Sequence, residues 1–248
     1  MAANKGNIGH MGFGGYDASR REGFAFLETL GGGSGGRSGK DGMEAVQCDL
    51  SNTENAPVEE MEINYPVRVL RYGLIPDSAG AGKWRGGLGI VRDYQFPSAE
   101  AISVTVFSDR AKFPPWGLFG GKDACPARFF LRRTGQSPQA LRSKCLIDVG
   151  ADDVVSFETP GGGGYGDPLE RDPGLVARDV RLGKVSREHA ERDYGVVLDG
   201  NGEPDAKGTR ALRDGIRTRA PGTPGRASSK KIRGATRRSA YCWMRTRG

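Results

Sequence analysis

Short runs rich in β-branched and aromatic residues dominate the chain between positions 24 and 160, and they predict strands. The runs are FAFLETL (24–30), EINYPVRVLRYGLI (62–75), LGIVRDYQF (88–96), AISVTVFSDR (101–110), ARFFLRR (127–133) and DDVVSFETP (152–160). Pro66 lies inside the second run and has no amide to donate, which indicates an edge strand or a bulge. Residues 1–22 show no periodic pattern, so no strand is predicted there.

The pattern changes from Pro168 onward, where helix start and stop signals appear. Pro173 begins a predicted helix that Gly183 ends, and Ser186 caps a second helix that ends before Gly195. GTRALRDGIR (208–217) predicts a third. The chain is therefore expected to be α+β. Its parts are a β-rich body (1–167), a C-terminal helical segment of the same domain (168–214) and a disordered basic tail (215–248).

The basic charge of the chain belongs to this tail. Residues 215–248 contain ten Lys or Arg and no acid, so the rest of the chain has a net charge of −3 although the whole carries +7. The tail is poor in apolar residues, which predicts disorder. Two interpretations are an arm that binds nucleic acid and an adventitious extension, such as out-of-frame translation. The absence of repeated motifs and of regular aromatic interleaving favours the second.

Composition excludes several classes of function. Mean hydropathy is −0.53, no stretch reaches about 18 apolar residues, and no apolar segment follows a basic start, so neither a membrane span nor a secretory signal is expected. The protein is therefore expected to be cytoplasmic. The four cysteines show no CxxC spacing, and the only histidines, His10 and His189, are far apart. No metal site is expected within this chain.

Two glycine-rich runs, GGGSGGRSGKDG (31–42) and TPGGGGYGDP (159–168), were tested as phosphate-binding loops. Residues 31–36 satisfy G-x-G-x-x-G, but turn residues follow instead of the helix that would face a pyrophosphate. Gly39 and Lys40 are followed by Asp41, which breaks the Walker pattern. Both phosphate motifs fail, so the chain is not expected to bind ATP by itself.

The second run follows a predicted strand directly and leads into a helix, which indicates an ordered turn and not a linker. Either the exposed amides of Gly162, Gly163 and Gly164 line a pocket beside Tyr165, or the glycines serve packing alone. Near the first run, Arg37 and Asp41 have two interpretations as well. They contribute to binding a carboxylate or phosphoryl group, or they form a surface salt bridge.

FPPWGLFGG (113–121) predicts an ordered loop, because its two prolines fix φ while Trp116, Leu118 and Phe119 are expected to be buried. Asp109 and Arg110 end the preceding strand. The pair lines a pocket or anchors this loop, and the sequence leaves both interpretations open.

Taken in order, GGGSGGRSGKDG, SNTENAPVEEMEINYPVRVLRYGLIPDSAGAGKWRGGLGIVRDY, SDRAKFPPWGLFGG and TPGGGGYGDPLERDP closely resemble the C-terminal part of the hydantoinase B / 5-oxoprolinase family. The resemblance extends from about Gly6 to Arg213. Within it, Asn52, Asn55 and Glu59 match the family's Asn-Thr-x-Asn-x-Pro-Val-Glu. This motif has two interpretations, a substrate or interface site and a hydrogen-bonded turn. The substrate-binding candidates are Arg37, Asp41, Asn52, Asp109, Arg110, Gly162, Gly163, Gly164 and Tyr165. No catalytic residue and no metal ligand is assigned.

The resemblance implies a subunit or fragment of an ATP-dependent hydrolase of small cyclic amides, of the 5-oxoprolinase or N-methylhydantoinase type. It also implies a hetero-oligomer in which a hydantoinase A-type subunit handles ATP. Alternatives are an acetone or acetophenone carboxylase-type subunit and a truncated, non-catalytic interaction fragment. The family's His- and Asp-rich motifs, which bind metal in the carboxylase branch, have no counterpart here. Any divalent metal is expected outside this chain, and the chain alone is expected to be catalytically incomplete.

Overall fold

The structure, a computed structural model, describes residues 1–48, 51, 53–97 and 99–219. Its strands are β1 (Gly9–Asp17), β2 (Glu22–Leu30), β3 (Arg68–Leu74), β4 (Ile90–Gln95), β5 (Ala99–Phe107), β6 (Arg128–Arg132), β7 (Gln139–Ala140), β8 (Lys144–Val149) and β9 (Val154–Glu158). Its α-helices are α1 (Val58–Asn64), α2 (Pro173–Arg181), α3 (Arg187–Tyr194) and α4 (Ala206–Arg219). The α+β class expected from the sequence is confirmed. Residues 215–219 belong to α4, contrary to the tail expected there, and 220–248 lie outside the described residues.

The strands form two antiparallel sheets that pack face to face. The first sheet has the order β2-β1-β5-β8 and the second the order β3-β4-β9-β6-β7. Met11 and Val104 of the first sheet share one buried cluster with Tyr94 and Phe157 of the second. Because apolar side chains of both sheets are removed from water in this one cluster, its burial is the main force that holds the sandwich together.

Strand β1 was not predicted, yet it lies between β2 and β5 in the first sheet. Four of its nine residues are glycine, and glycine has low strand propensity and weakens hydrophobic periodicity. The neighbours supply what the local sequence lacks, because Phe13 pairs with Phe26 on one side and with Val104 on the other. Long-range pairing therefore decides the conformation of this segment.

The strand predicted at 62–75 is partly wrong, because residues 62–64 belong to α1. Glu59 and Glu60 lie in the first turn of this helix, where negative charge stabilises the helix dipole. The rest of the prediction is confirmed: β3 is an edge strand, and its register shifts between Val69 and Arg71.

Strands β7 and β8 were also missed. In β8 every second residue is exposed, and one of these exposed residues is Leu146. Because an apolar residue stands at an exposed position, the sequence does not show the alternation of polar and apolar residues that would predict a strand.

The helical segment follows its local signals. The Asp172 carboxylate accepts a hydrogen bond from the Leu175 amide at the start of α2, and the Ser186 hydroxyl accepts one from His189 at the start of α3. Gly195 ends α3 in the left-handed region with φ 60°. A second buried cluster joins these helices to Ala81, which lies in a glycine-rich loop before β4; its other members are Val176, Val185, Ala190, Tyr194 and Val196.

Within the described part of the chain, every helix is too short or too polar to cross a membrane.

Candidate functional site

Several glycine-rich segments meet at one end of the sandwich, and together they are called the glycine lattice. Its central segment, 161–164, follows β9, while residues 31–36 follow β2 and residues 80–89 lead into β4. Residues 2–3 and 116–122 complete it. The strands thus deliver these segments to one place, and the helical segment attaches to the lattice through Ala81.

The central segment hydrogen-bonds to a different neighbour at each residue. The amides of Gly162, Gly163 and Gly164 donate to the carbonyls of Gly87 (2.9 Å), Ala3 (2.8 Å) and Lys122 (2.9 Å). Their carbonyls accept from the amides of Gly80, Gly36 and Leu118, each at 2.9 Å. Each of the three residues thus bonds to different segments, unlike the two-sided ladder of a strand. All these groups are therefore satisfied inside the protein.

Close packing explains why these positions are glycine. A Cβ atom would lie 1.9 Å from the Ser34 carbonyl oxygen at Gly162, 2.1 Å from that of Trp116 at Gly163, and 2.0 Å from that of Ala81 at Gly164. No side chain fits at such distances. Of the two interpretations from the sequence, the geometry supports packing, because none of these three amides is left for a ligand.

Tyr165 extends from the end of the central segment and is half-buried. Its backbone pairs with Trp84, with the Tyr165 amide 2.9 Å from the Trp84 carbonyl, and its ring packs on Phe119 with centroids 5.1 Å apart. Phe119 is 73% exposed and Trp116 is 51% exposed, so the expected burial of these aromatic side chains is wrong. The lattice bonds the backbone of this loop, and the side chains of Trp116 and Phe119 are exposed.

Asp41 turns away from the surface and binds Arg171, whose side chain is almost fully buried. Both carboxylate oxygens accept from the guanidinium at 2.7 Å, and one also accepts from the Arg85 amide at 2.7 Å. Burial acts to raise the pKa of Asp41, but the hydrogen bonds and charge of Arg171 outweigh it, so this pKa is lowered. The sequence suggested that Arg37 binds an external carboxylate or phosphoryl group; the structure instead shows the Asp41 carboxylate bound by Arg171 of this chain.

The Asp41–Arg171 pair belongs to an ion-pair cluster of three acids and three bases: Asp41, Glu44, Arg85, Arg171, Asp179 and Lys184. Asp179 of α2 binds Arg171 at 2.8 Å and Arg85 at 3.2 Å. Glu44 binds Arg85 at 2.8 Å and Lys184 at 3.0 Å. Since the charges balance and hydrogen-bond each other, the cluster fastens α2 to the lattice.

The cluster was not predicted from the sequence, although Arg85 next to two glycines in KWRGG was one available signal.

The other sequence candidates do not meet in one pocket. Arg37 is exposed in a tight turn whose backbone pairs with Lys40. Arg110 has φ 60° and places its guanidinium 4.5 Å from the centre of the Trp116 ring. Asp109 is exposed, with a carboxylate oxygen 3.9 Å from the Lys144 Nζ. Asn52 lies outside the described residues.

A chain of polar side chains runs from the interior to the surface beside the Asn-Thr-x-Asn motif, and it is called the polar chain. Buried Lys5 donates to the Leu30 carbonyl and, at 3.0 Å, to Gln47 Oε1. Gln47 Nε2 donates to Asn55 Oδ1 at 3.2 Å, and Asn55 Nδ2 donates to the Tyr72 hydroxyl at 2.8 Å. The Tyr72 side chain is 46% exposed, so the polar chain connects a buried amine with solvent.

Lys5 is the basic residue of the polar chain, and its pKa is shifted. The sequence did not identify it because its burial depends on distant segments. Burial lowers the pKa of Lys5 to about 8, while the charge of an ionised Cys48 acts in the opposite direction. An amine with such a pKa gains and loses a proton near neutral pH, which suits proton transfer.

Lys5 should leave a signature in the pH dependence of stability. Between pH 8 and pH 10.5 the unfolded chain holds a proton on Lys5 that the folded chain has lost, so the free energy of unfolding rises with pH. The slope reaches about 1.4 kcal/mol per pH unit. Lys5→Met should remove this rise in urea unfolding curves, whereas Lys40→Met at an exposed position should retain it. Equal slopes in Lys5→Met and the parent would contradict the assignment.

Among the described residues, no group of three or more His, Cys, Asp and Glu side chains is arranged to hold a metal ion.

Comparisons with known proteins give consistent matches. Residues 1–168 match the family described as hydantoinase B/oxoprolinase. The B subunit of a putative D-/L-hydantoinase from Pseudomonas sp. (strain NS671) is 35% identical over 86% of this chain and 36% of the relative. The beta subunit of the caprolactamase of Pseudomonas jessenii is 36% identical over 73% of this chain and 32% of its own length. The chain thus spans about a third of these relatives.

Two solved structures share the fold. The ATP-dependent caprolactamase from Pseudomonas jessenii superposes with a TM-score of 0.76 and 29% identity, over 86% of this chain and 38% of that chain. A nucleotide-free acetone carboxylase superposes with a TM-score of 0.74 and 25% identity, over 87% of this chain and 34% of that chain.

Proposed function

The chain belongs to the hydantoinase B/oxoprolinase family, and we propose that it forms part of an ATP-dependent hydrolase of cyclic amides, of the 5-oxoprolinase or N-methylhydantoinase type. The observation that carries this proposal is the agreement in fold with an ATP-dependent caprolactamase over most of the chain. Caprolactam is itself a cyclic amide, so the proposed substrate class follows the chemistry of that relative. The enzyme is proposed to work in the cytoplasm.

ATP is proposed to bind to a partner, a hydantoinase A-type subunit. The glycine segments of this chain do not fit a nucleotide phosphate, because the amides of Gly162, Gly163 and Gly164 donate to protein carbonyls at 2.8–2.9 Å. Relatives that are named as B and beta subunits support a hetero-oligomer. Any divalent metal is likewise assigned to a part of the enzyme outside this chain.

The protein is proposed to contribute the polar chain, which ends at Tyr72, to the substrate site of the enzyme. The Tyr72 hydroxyl accepts a hydrogen bond from Asn55 and makes no other hydrogen bond within the described residues, so its own proton is available to an external acceptor. The ring nitrogen of a cyclic amide needs a proton when the ring opens. In this proposal Tyr72 lies at the substrate and gives up its proton, which it regains from solvent because its side chain is 46% exposed. The hydrogen bonds that link Lys5, Gln47 and Asn55 hold the Tyr72 hydroxyl in position.

A second function has specific support. The acetone carboxylase superposes almost as well as the caprolactamase, which favours a carboxylase-type subunit as the second candidate. A non-catalytic interaction fragment is the third candidate.

An activity assay separates these candidates. The chain is mixed with a hydantoinase A-type subunit, the remainder of a B-type subunit, a divalent metal and ATP, and tested on 5-oxoproline and hydantoins. We expect ATP-dependent ring opening by the mixture and no saturable ATP binding by the chain alone. Consumption of a ketone that requires bicarbonate would instead identify a carboxylase, and absence of any turnover would leave the interaction fragment.

The role of Tyr72 predicts a selective loss. Tyr72→Phe removes the hydroxyl but keeps the ring beside Arg92, so kcat of the assembled enzyme should fall by about 100-fold with little change in KM. Tyr16→Phe, at another exposed tyrosine, should keep parental kinetics. Parental kcat in Tyr72→Phe would remove Tyr72 from the proposed site.

A further inference from the structure

The outer face of the first sheet presents exposed apolar side chains among polar ones, which include Thr105 and the hydrogen-bonded Ser103 and Asp148. Register places Leu27, Gly12, Thr105 and Leu146 side by side across its four strands. Leu27 is 60% exposed and Leu146 is 68% exposed, and Phe107 lies on the same face one row away. Large apolar side chains that remain exposed together on one sheet face favour a contact with another protein surface.

Gly12 forms the floor of this face between the two leucines, and nothing within the described chain requires a glycine there. A Cβ atom would lie 3.6 Å from Leu27 Cδ1 and 3.7 Å from Thr105 Cβ, which are ordinary contacts. In the glycine lattice, by contrast, a Cβ atom would lie 1.8 Å from a carbonyl oxygen at Gly86. A glycine without a side chain in the middle of an exposed sheet allows a group of a binding partner to approach the backbone closely.

Positive charge borders this apolar face. Lys112, Arg142 and Lys144 line a shallow cavity of about 450 Å³ beyond the end of β5. The Lys144 Nζ lies 4.6 Å from the centre of the Phe107 ring, and the Lys112 Nζ lies 5.4 Å from that of Phe113. Of the three cavity cations, only Lys144 has an acid of the described residues within 4.0 Å. A partner that covers the face should therefore carry an acidic border.

We propose that this face docks the part of a B-type subunit that lies outside the matched third, by inserting an apolar ridge between Leu27 and Leu146 under an acidic border. The length comparison supports this occupant, since about two-thirds of each relative's length lies outside the segment that matches this chain. The inference rests on the proposed function, in which the chain works as part of such a subunit.

Two other occupants fit the face poorly. A second copy would present the same basic border, so it would not supply the acidic border that Lys112 and Arg142 favour. Nucleic acid would gain little, because cations of the chain already lie over the Phe113 and Trp116 rings on which bases would stack.

Docking can be measured without ATP or turnover. The probe is the B subunit of the hydantoinase from Pseudomonas sp. (strain NS671), expressed without its matching segment and titrated against the full chain by calorimetry. Gly12→Val fills the floor, and its Cβ makes only ordinary contacts, so it should weaken binding at least tenfold while the melting temperature of the chain is not lowered. Gly73→Val, in β3 with no atom within 4 Å of a Cβ, is the matched control and should bind like the parent.

A second pair of variants tests the charged border. Lys112→Glu with Arg142→Glu should weaken binding about tenfold at low salt, whereas Lys207→Glu with Arg210→Glu on α4 should change it less than twofold. Parental affinity in both face variants would overturn the proposal. So would absence of binding by the parent chain. Intact docking without any turnover would instead contradict the proposed function and leave this inference standing.

Discussion

Gly162→Ala is expected to destroy most of the stability of the protein. The added Cβ would lie 1.9 Å from the Ser34 carbonyl oxygen and 2.3 Å from its carbon, and both atoms belong to backbone that is bonded on several sides. A flexible side chain could move away, but these segments cannot move without breaking neighbouring lattice bonds. We expect a loss of about 4 kcal/mol or more, a large part of the roughly 5–15 kcal/mol that stabilises a typical domain.

Urea unfolding followed by circular dichroism measures this loss, and two other glycines provide controls. Gly215→Ala lies in helix α4 with nothing within 4 Å of its Cβ, so it should stabilise the chain by up to about 1 kcal/mol. Gly200→Ala, in an open turn, should be nearly neutral. A soluble Gly162→Ala protein with the parental unfolding midpoint would show that the lattice is not rigid.

The sequence predicts those elements whose signals are local. Strand β5 has a strong run of β-branched residues, and Ser186 and Gly195 mark the ends of α3 within the helix's own sequence. The family motifs predict which segments matter, but not what they do. The run around Gly162 attracts attention by composition alone, whereas its packing depends on carbonyls supplied by several distant segments.

Features that depend on long-range partners could not be predicted. Asp41 and Arg171 are 130 residues apart, and nothing near Asp41 indicates that its carboxylate faces a buried guanidinium. The same holds for Lys5, whose lowered pKa results from burial by residues more than twenty positions away. Of the candidate site, the sequence therefore identified Asn55 through its motif, but missed Lys5 and Tyr72, which contact it directly or through Gln47.

Glycine has distinct roles in this fold, and only structure separates them. At Gly162 the absence of a side chain is required by internal packing, at Gly195 by a left-handed φ, and at Gly12 by neither. A sequence shows the same letter at all three positions. This distinction underlies both the expected collapse of Gly162→Ala and the expected tolerance of Gly12→Val.

Arg171→Met is the second change expected to have a large effect. It leaves the Asp41 and Asp179 carboxylates in a mostly buried site without the guanidinium that binds both, at 2.7 and 2.8 Å. Removing one partner of a buried ion pair costs about 3–5 kcal/mol, because the remaining charge is not solvated. Arg181→Met, two residues beyond Asp179, removes an exposed pair with Glu203 and should cost less than about 1 kcal/mol.

The pH dependence of the Arg171→Met deficit distinguishes a lost ion pair from lost packing. Because Arg171 holds the pKa of Asp41 below its ordinary value of 3.8, this stabilisation is complete above pH 3.8 and disappears as pH falls through the folded pKa. Protonation also relieves the unpaired carboxylates of the variant. The difference in unfolding free energy between parent and variant should therefore be largest near neutral pH and narrow in acid. A difference in unfolding free energy that stays constant down to pH 3 would mean that the cluster does not fasten α2 to the lattice through its charges. A difference below about 1 kcal/mol at neutral pH would lead to the same conclusion.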